Sequence, residues 1–186
     1  MCGKVHPLTI HTSPRRSWFD ANGERVWIRV IVIKCAHARA AGKQYTKRLL
    51  PDFLIPYSPI RLDRVLEAER SRREEGARLE DCSYILGCLE LRTVRKHLKR
   101  LHTAAASVAL QLSEYLAHIP QYARLPEPQP GQCTVLRLNS LYHRTTEAAG
   151  AAGRPVTSLR QSLQEQWWKL VGKPPTSCVS RVARPP

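Results

Sequence analysis

The sequence predicts an α+β fold, a small β front followed by a helical region, and three observations carry that prediction. An Asn-Gly pair lies between two runs rich in β-branched and aromatic residues. Pro51, Pro56 and Pro59 then crowd a short stretch that no regular helix tolerates. From Ile60 onward the apolar residues recur at helical spacing.

The elements follow in order. Arg16-Ser17-Trp18-Phe19, Asp20-Ala21-Asn22-Gly23 and Glu24-Arg25-Val26-Trp27 read as strand, turn and strand, because Asn-Gly supplies the positive φ of a tight hairpin. The second strand is expected to run on through Ile28-Arg29-Val30-Ile31-Val32-Ile33, its apolarity suggesting burial on both faces. A third, basic strand is expected within Gly42 to Arg48. Leu50 to Pro59 forms an extended bridge, and a helix begins near Ile60, with Leu62, Val65, Leu66 and Glu69 in phase, fading before Gly76. Leu79–Leu86 reads as a short helix, Gly87-Cys88-Leu89-Glu90 as a turn and Leu91–His102 as a second helix. A separate amphipathic helix is expected over Thr103–Ile119, buried through Val108, Leu112, Tyr115, Leu116 and Ile119 and ended by Pro120. Residues 124–133 have linker composition, Ala148 to Gly153 read as loose, and Thr157–Val171 as a last helix carrying Trp167 and Trp168. The Pro-rich end from Pro174 reads as disordered. Three regions result: 1–58, β-rich and closed by the proline bridge; 59–120, helical; 121–186, a linker and weakly ordered helical tail.

Composition narrows the partners. Thirty Lys and Arg against fifteen Asp and Glu in 186 residues leave a formal charge of +15, which favours a polyanion, since each cation set on a phosphate releases counterions. No apolar run is long enough to span a bilayer and the N-terminus lacks the apolar core of a secretory signal, so a cytoplasmic protein without membrane contact is expected. Six scattered cysteines are then expected to be free thiols.

The segment richest in chemistry is residues 81–101. On a helical wheel Leu91, Val94, Leu98 and Leu101 form one stripe. Arg92, Thr93, Lys96, Lys99 and Arg100 fall opposite, with Arg95 on the flank. An apolar short helix, a Gly turn and a second two-faced helix are the parts of a helix-turn-helix. A solvated helix usually alternates acids with bases, whereas this face carries bases alone. Arg92, Thr93, Arg95, Lys96, Lys99 and Arg100 are therefore the expected contacts to double-stranded DNA, those near the helix start reaching base edges and the rest holding phosphates.

The run from Gly42 through Tyr57 together with Leu-Gly-Cys-Leu-Glu-Leu-Arg-Thr-Val-Arg-Lys-His-Leu (86–98) resembles a bacterial family of unknown function. Its members join a zinc-ribbon-like front, a leucine-leucine-proline to proline-tyrosine bridge and a helix-turn-helix. They resemble the N-terminal DNA-recognition regions of insertion-sequence transposases. The likeness covers roughly residues 1–102 and implies a mobile-element-associated recognition module, with a transposase as a candidate partner. The sequence departs from the ribbon pattern, which needs four soft ligands in close pairs. Cys2, His6, Cys35 and His37 have neither usual knuckle spacing, so a degenerate ribbon without metal, and no cofactor, is expected.

No catalytic activity is expected either. The aspartates are Asp20, Asp52, Asp63 and Asp81, and none stands in an apolar strand that would aim it at paired metal ions. Phosphate-loop, nucleophile-elbow and metalloprotease motifs do not occur, and Cys88 and His97 read as packing residues. Two alternatives remain open. One is a protein-interaction adaptor docking through Trp167-Trp168 and the helix at 103–119. The other is structured-RNA binding, for which the basic face lacks accompanying aromatics.

Overall fold

The computed structural model describes residues 8–20, 22–35, 37, 46–122 and 132–171, with Lys47 described for its backbone alone. Cys2, His6, Gly42–Tyr45, most of the 124–133 linker and the end from Pro174 therefore lie outside the described residues. Antiparallel strands occupy the N-terminal part and helices the rest, an α+β arrangement.

The expected hairpin forms. Strands β2 (Arg15–Phe19) and β3 (Arg25–Arg29) pair with Trp18 opposite Val26. Asp20 Oδ1 accepts from the Asn22 and Glu24 N–H groups at 2.8 and 2.9 Å, and Gly23 takes φ +80°. The long second strand, however, divides. Val30 leaves the ladder by donating its N–H to the Pro14 carbonyl at 2.9 Å. The chain then re-enters as β4 (Ile31–Cys35) in a different sheet, ordered β1 (Leu8–Thr12), β4, β5 (Thr46–Leu49). Burial on both faces is corrected as well. Val30 and Val32 are buried while Trp27 and Ile31 are exposed, because antiparallel sheets here leave one face to solvent.

The proline bridge clasps hairpin to helices. Leu54 and Ile55 are fully buried, and Phe53 meets Trp18 edge-on with ring centroids 5.2 Å apart. The Arg61 guanidinium lies over both rings, 5.0 and 5.4 Å from their centroids. Arg16 donates to the carbonyls of Ile55 and Ser58. Leu62 N–H donates to Phe53, and Gln164 Nε2 donates to both Pro51 and Leu54 at 2.7 Å, so five bridge carbonyls that no strand ladder satisfies are engaged.

Helix α1 spans Leu62–Glu74 and α2 Leu79–Leu86, the latter begun by Arg78 N–H donating to Asp81 Oδ2 at 2.8 Å. Gly87, at φ +63°, closes α2 with Cys88 N–H on the Ser83 carbonyl and Gly87 N–H on that of Tyr84, a Schellman arrangement. Helix α3 then runs unbroken from Leu91 to Ala117. The expected boundary at 102–103 does not exist, because Thr103-Ala104-Ala105-Ala106 offers no breaker and the alanines favour helix. The stretch expected to be loose at Ala148–Gly153 is also corrected: through Ala151 it belongs to α4 (Thr134–Ala151). Helix α5 (Leu159–Leu170) starts on Ser158, whose Oγ accepts from Gln161 N–H at 3.1 Å.

Among the described residues one core serves the five α-helices α1 to α5. Val94, Leu98, Leu101 and Val108 of α3 join Leu62 and Val65 of α1, Leu138 of α4, and Leu163 and Trp167 of α5. Leu112, Tyr115 and Ile119 pack at its margin, as their spacing predicts. The buried Ala104 and Ala105 of α3 and Ala148 and Ala149 of α4 keep that helix pair slim where it is most extensively packed. Helices this apolar on one side gain roughly 1.5–3 kcal/mol for each large side chain buried.

Candidate nucleic-acid interface

The first three turns of α3 hold every residue the sequence nominates for contact. Arg92, Arg95, Lys96 and Lys99 are exposed; Thr93 and Arg100 are half-buried. Among the described residues no carboxylate comes within 4 Å of any of the five cations. Helix α3 contains one acid, Glu114, beyond reach of this end. Thr93 is partly committed elsewhere, since its hydroxyl donates to Glu90 Oε2 across the helix start.

The opposite stripe is buried as the wheel predicts, with Val94 and Leu101 at 0% exposure and Leu98 at 3%. His97 is buried among them. Its Nδ1 lies 2.9 Å from the Thr93 carbonyl, which can only accept, so Nδ1 carries the proton and Nε2 accepts from the Ser58 hydroxyl at 3.0 Å. Ser58 Oγ in turn accepts from Ile60 N–H at 3.1 Å. Burial pushes the imidazole below its ordinary range, the neighbouring Arg100 and Lys96 add to that, and the Thr93 hydrogen bond opposes it. Both ring nitrogens are thus occupied, and Cys88 Sγ points instead to the Glu90 carbonyl at 3.9 Å. The pair offers no thiol–imidazole couple.

A second polar cluster, absent from the sequence reading, lies where α1, α3 and the start of α4 meet. Glu69 is fully buried, and its Oε1 gathers Arg73 Nε at 2.8 Å, His102 Nε2 at 2.9 Å and Cys133 Sγ at 3.7 Å. Glu69, His102 and Cys133 have the donor types of a zinc site, with ligand atoms within 4.8 Å of one another. The arrangement suits a carboxylate held by cations better. Arg73 already takes the position facing Oε1, and Arg72 stands 3.9 Å from Oε2. The expected ribbon ligands Cys2 and His6 lie outside the described residues; Cys35 is buried on β4 and His37 exposed beyond it.

Three of the four aspartates have structural employment. Asp20 holds the hairpin turn, Asp63 pairs with Arg61, and Asp81 begins α2. Trp167 and Trp168, the docking residues of the adaptor alternative, are 0% and 5% exposed; Trp167 lies in the helical core and Trp168 packs edge-on against Tyr57. Among the described residues no helix is long and apolar enough to cross a membrane, and Cys35, Cys82, Cys88 and Cys133 are free thiols.

The fold and this surface define a small α+β protein that presents a cation-rich helix end on a rigid core. No protein-family description, curated protein or solved structure matches the chain.

Proposed function

We propose that the chain binds double-stranded DNA through the first turns of α3, with α2, the Gly87 turn and α3 acting as a helix-turn-helix, and that it serves as a non-catalytic recognition module associated with a mobile element. One observation carries the proposal: Arg92, Arg95, Lys96, Lys99 and Arg100 share a helix end with no carboxylate within 4 Å. Like charges so placed repel one another unless a polyanion lies alongside, and duplex phosphate is the densest one. Burial of the Val94, Leu98 and Leu101 stripe fixes which way that cationic face points. The mobile-element setting, with a transposase as partner, follows from the resemblance of residues 42–57 and 86–98 to a bacterial family whose members in turn resemble transposase recognition regions. The adaptor alternative stands on less: Trp167 and Trp168 are buried, and Leu110 is the large apolar side chain that the stretch 103–119 exposes.

Gel-shift titration against random-sequence and genomic duplexes across a salt series tests the proposal. Affinity that weakens steeply with salt is expected; duplex binding that is undetectable at low salt overturns it.

A further inference from the structure

A cavity of about 340 Å³ shares no lining residue with the surface assigned to DNA. Its walls come from four elements: Arg15 and Arg16 on β2, Arg48 on β5, Tyr57 in the bridge and Trp168 on α5. The volume is that of a small-ligand site. Its chemistry is one-sided, with three guanidinium groups and no acid among the lining residues. No carboxylate lies within 4 Å of Arg15, Arg16 or Arg48 among the described residues. Acids enter only in a neighbouring cavity of about 500 Å³, which shares Arg48 and Trp168 and includes Asp52 and Glu165.

Two further features show that the pocket is built. Arg16 is fixed, its guanidinium held by the carbonyls of Ile55 and Ser58, so its charge is aimed before any ligand arrives. Burial first and the nearby Arg48 second push Arg16 down from its ordinary value, with Tyr57 opposing. Tyr57 has φ +58°, a left-handed backbone that a side-chain-bearing residue rarely adopts. That backbone holds its half-exposed ring edge-on to Trp168, with centroids 5.2 Å apart. Planar forks of arginine suit phosphoryl oxygens, and an aromatic wall suits a base.

We infer that the pocket formed by Arg15, Arg16, Arg48, Tyr57 and Trp168 binds a nucleoside 5′-monophosphate, either free or as the terminal residue of a DNA strand. The arginines take the phosphoryl group and the aromatic pair takes the base. This site goes beyond the α3 surface and does not depend on it, since no residue is shared.

Isothermal titration of the full chain provides the test. The titrants are a 5′-phosphorylated thymidine trinucleotide, the same trinucleotide with a 5′-hydroxyl, thymidine 5′-monophosphate and inorganic phosphate. The phosphorylated trinucleotide should bind at least about ten-fold more tightly than its hydroxyl form. Arg15→Ala combined with Arg48→Glu, both exposed positions, should remove that advantage with the melting temperature unchanged. Equal affinity for the monophosphate and the trinucleotide identifies the free nucleotide as ligand; a clear preference for the trinucleotide identifies the strand end. The inference is overturned if the 5′-phosphate makes no difference, if the double variant binds as wild type does, or if inorganic phosphate binds as tightly as the nucleotides. Arg92→Ala/Lys96→Ala/Lys99→Ala should leave the titration unchanged. Loss of binding in that variant assigns it to α3 and overturns the pocket.

Discussion

Ser58 and His97, thirty-nine residues apart in the chain, share a buried 3.0 Å hydrogen bond that ties the proline bridge to the helix bearing the cationic face. His97 also lies beside Trp167, ring centroids 5.9 Å apart, so bridge, α3 and α5 meet at one imidazole. Ser58→Ala removes the donor to Nε2 and the acceptor for Ile60 N–H together. Urea unfolding should show a loss of about 1–3 kcal/mol. A variant as stable as wild type means the contact is incidental.

The same imidazole predicts a pH dependence. Its folded-state pKa lies below the ordinary 6.5, so the unfolded chain binds the proton more readily than the native one. The stability it contributes is therefore complete above about pH 6.5, is lost as the pH falls below that value, and levels off only beneath the folded-state value. His97→Leu should be less stable than wild type at pH 7, with the gap narrowing at pH 5. Parallel stability curves for the two proteins would falsify the neutral, buried assignment.

For the α3 surface, Arg92→Ala/Lys96→Ala/Lys99→Ala should weaken duplex binding and leave thermal melting unchanged, because all three side chains are exposed. If each contacts a phosphate, the slope of log affinity against log salt becomes shallower by about 2–3. Wild-type affinity in this variant removes α3 from the interface.

Gly87 separates architecture from contact. An added Cβ there meets nothing within 4 Å, so the whole cost of a substitution comes from φ +63°. Gly87→Val should lose about 1–2 kcal/mol or more and bind DNA less well, while Gly87→Asn, tolerant of that backbone, should lose less. Arg92→Ala should affect binding alone. Melting and binding curves on the three variants decide it; wild-type behaviour in Gly87→Val contradicts the turn's role.

Glu69 is the test of a buried charge. Glu69→Gln leaves Arg73 and His102 facing a neutral amide, and chemical denaturation should register a loss of about 1–3 kcal/mol, moderated because Arg73 is half-exposed and can rehydrate. Unchanged stability means the cluster contributes nothing net.

Local chemistry was legible in the sequence and long-range chemistry was not. Asn22-Gly23, Gly87 and the Val94–Leu98–Leu101 stripe each announce themselves within a few residues, and the hairpin, turn and buried face stand where that chemistry places them. Val30 does not, because the event that splits its strand is a hydrogen bond to Pro14, sixteen positions away. The division of α3 at His102 rested on a change of composition, whereas helices end at breakers and none is present before Pro120. Glu69 was in phase with the apolar residues of α1, a signal of burial, but its partners on α3 and at Cys133 are set by tertiary packing. The arginine pocket was invisible for the same reason, being assembled from β2, β5, the bridge and α5.

The unbroken course of α3 has a mechanical consequence. At 1.5 Å per residue its 27 residues make a rod of about 40 Å, seated in one core from Val94 to Leu116 and carrying its cationic face at the N-terminal end. Such a rod moves as one piece: with Val94 and Leu98 seated in the same core as Leu101 and Val108, Arg92 shifts when the whole helix shifts. The alanines that seat it, Ala104 and Ala105, therefore govern where the charged tip aims as well as how well the core packs. A bulkier side chain at either position would steer the tip without touching it.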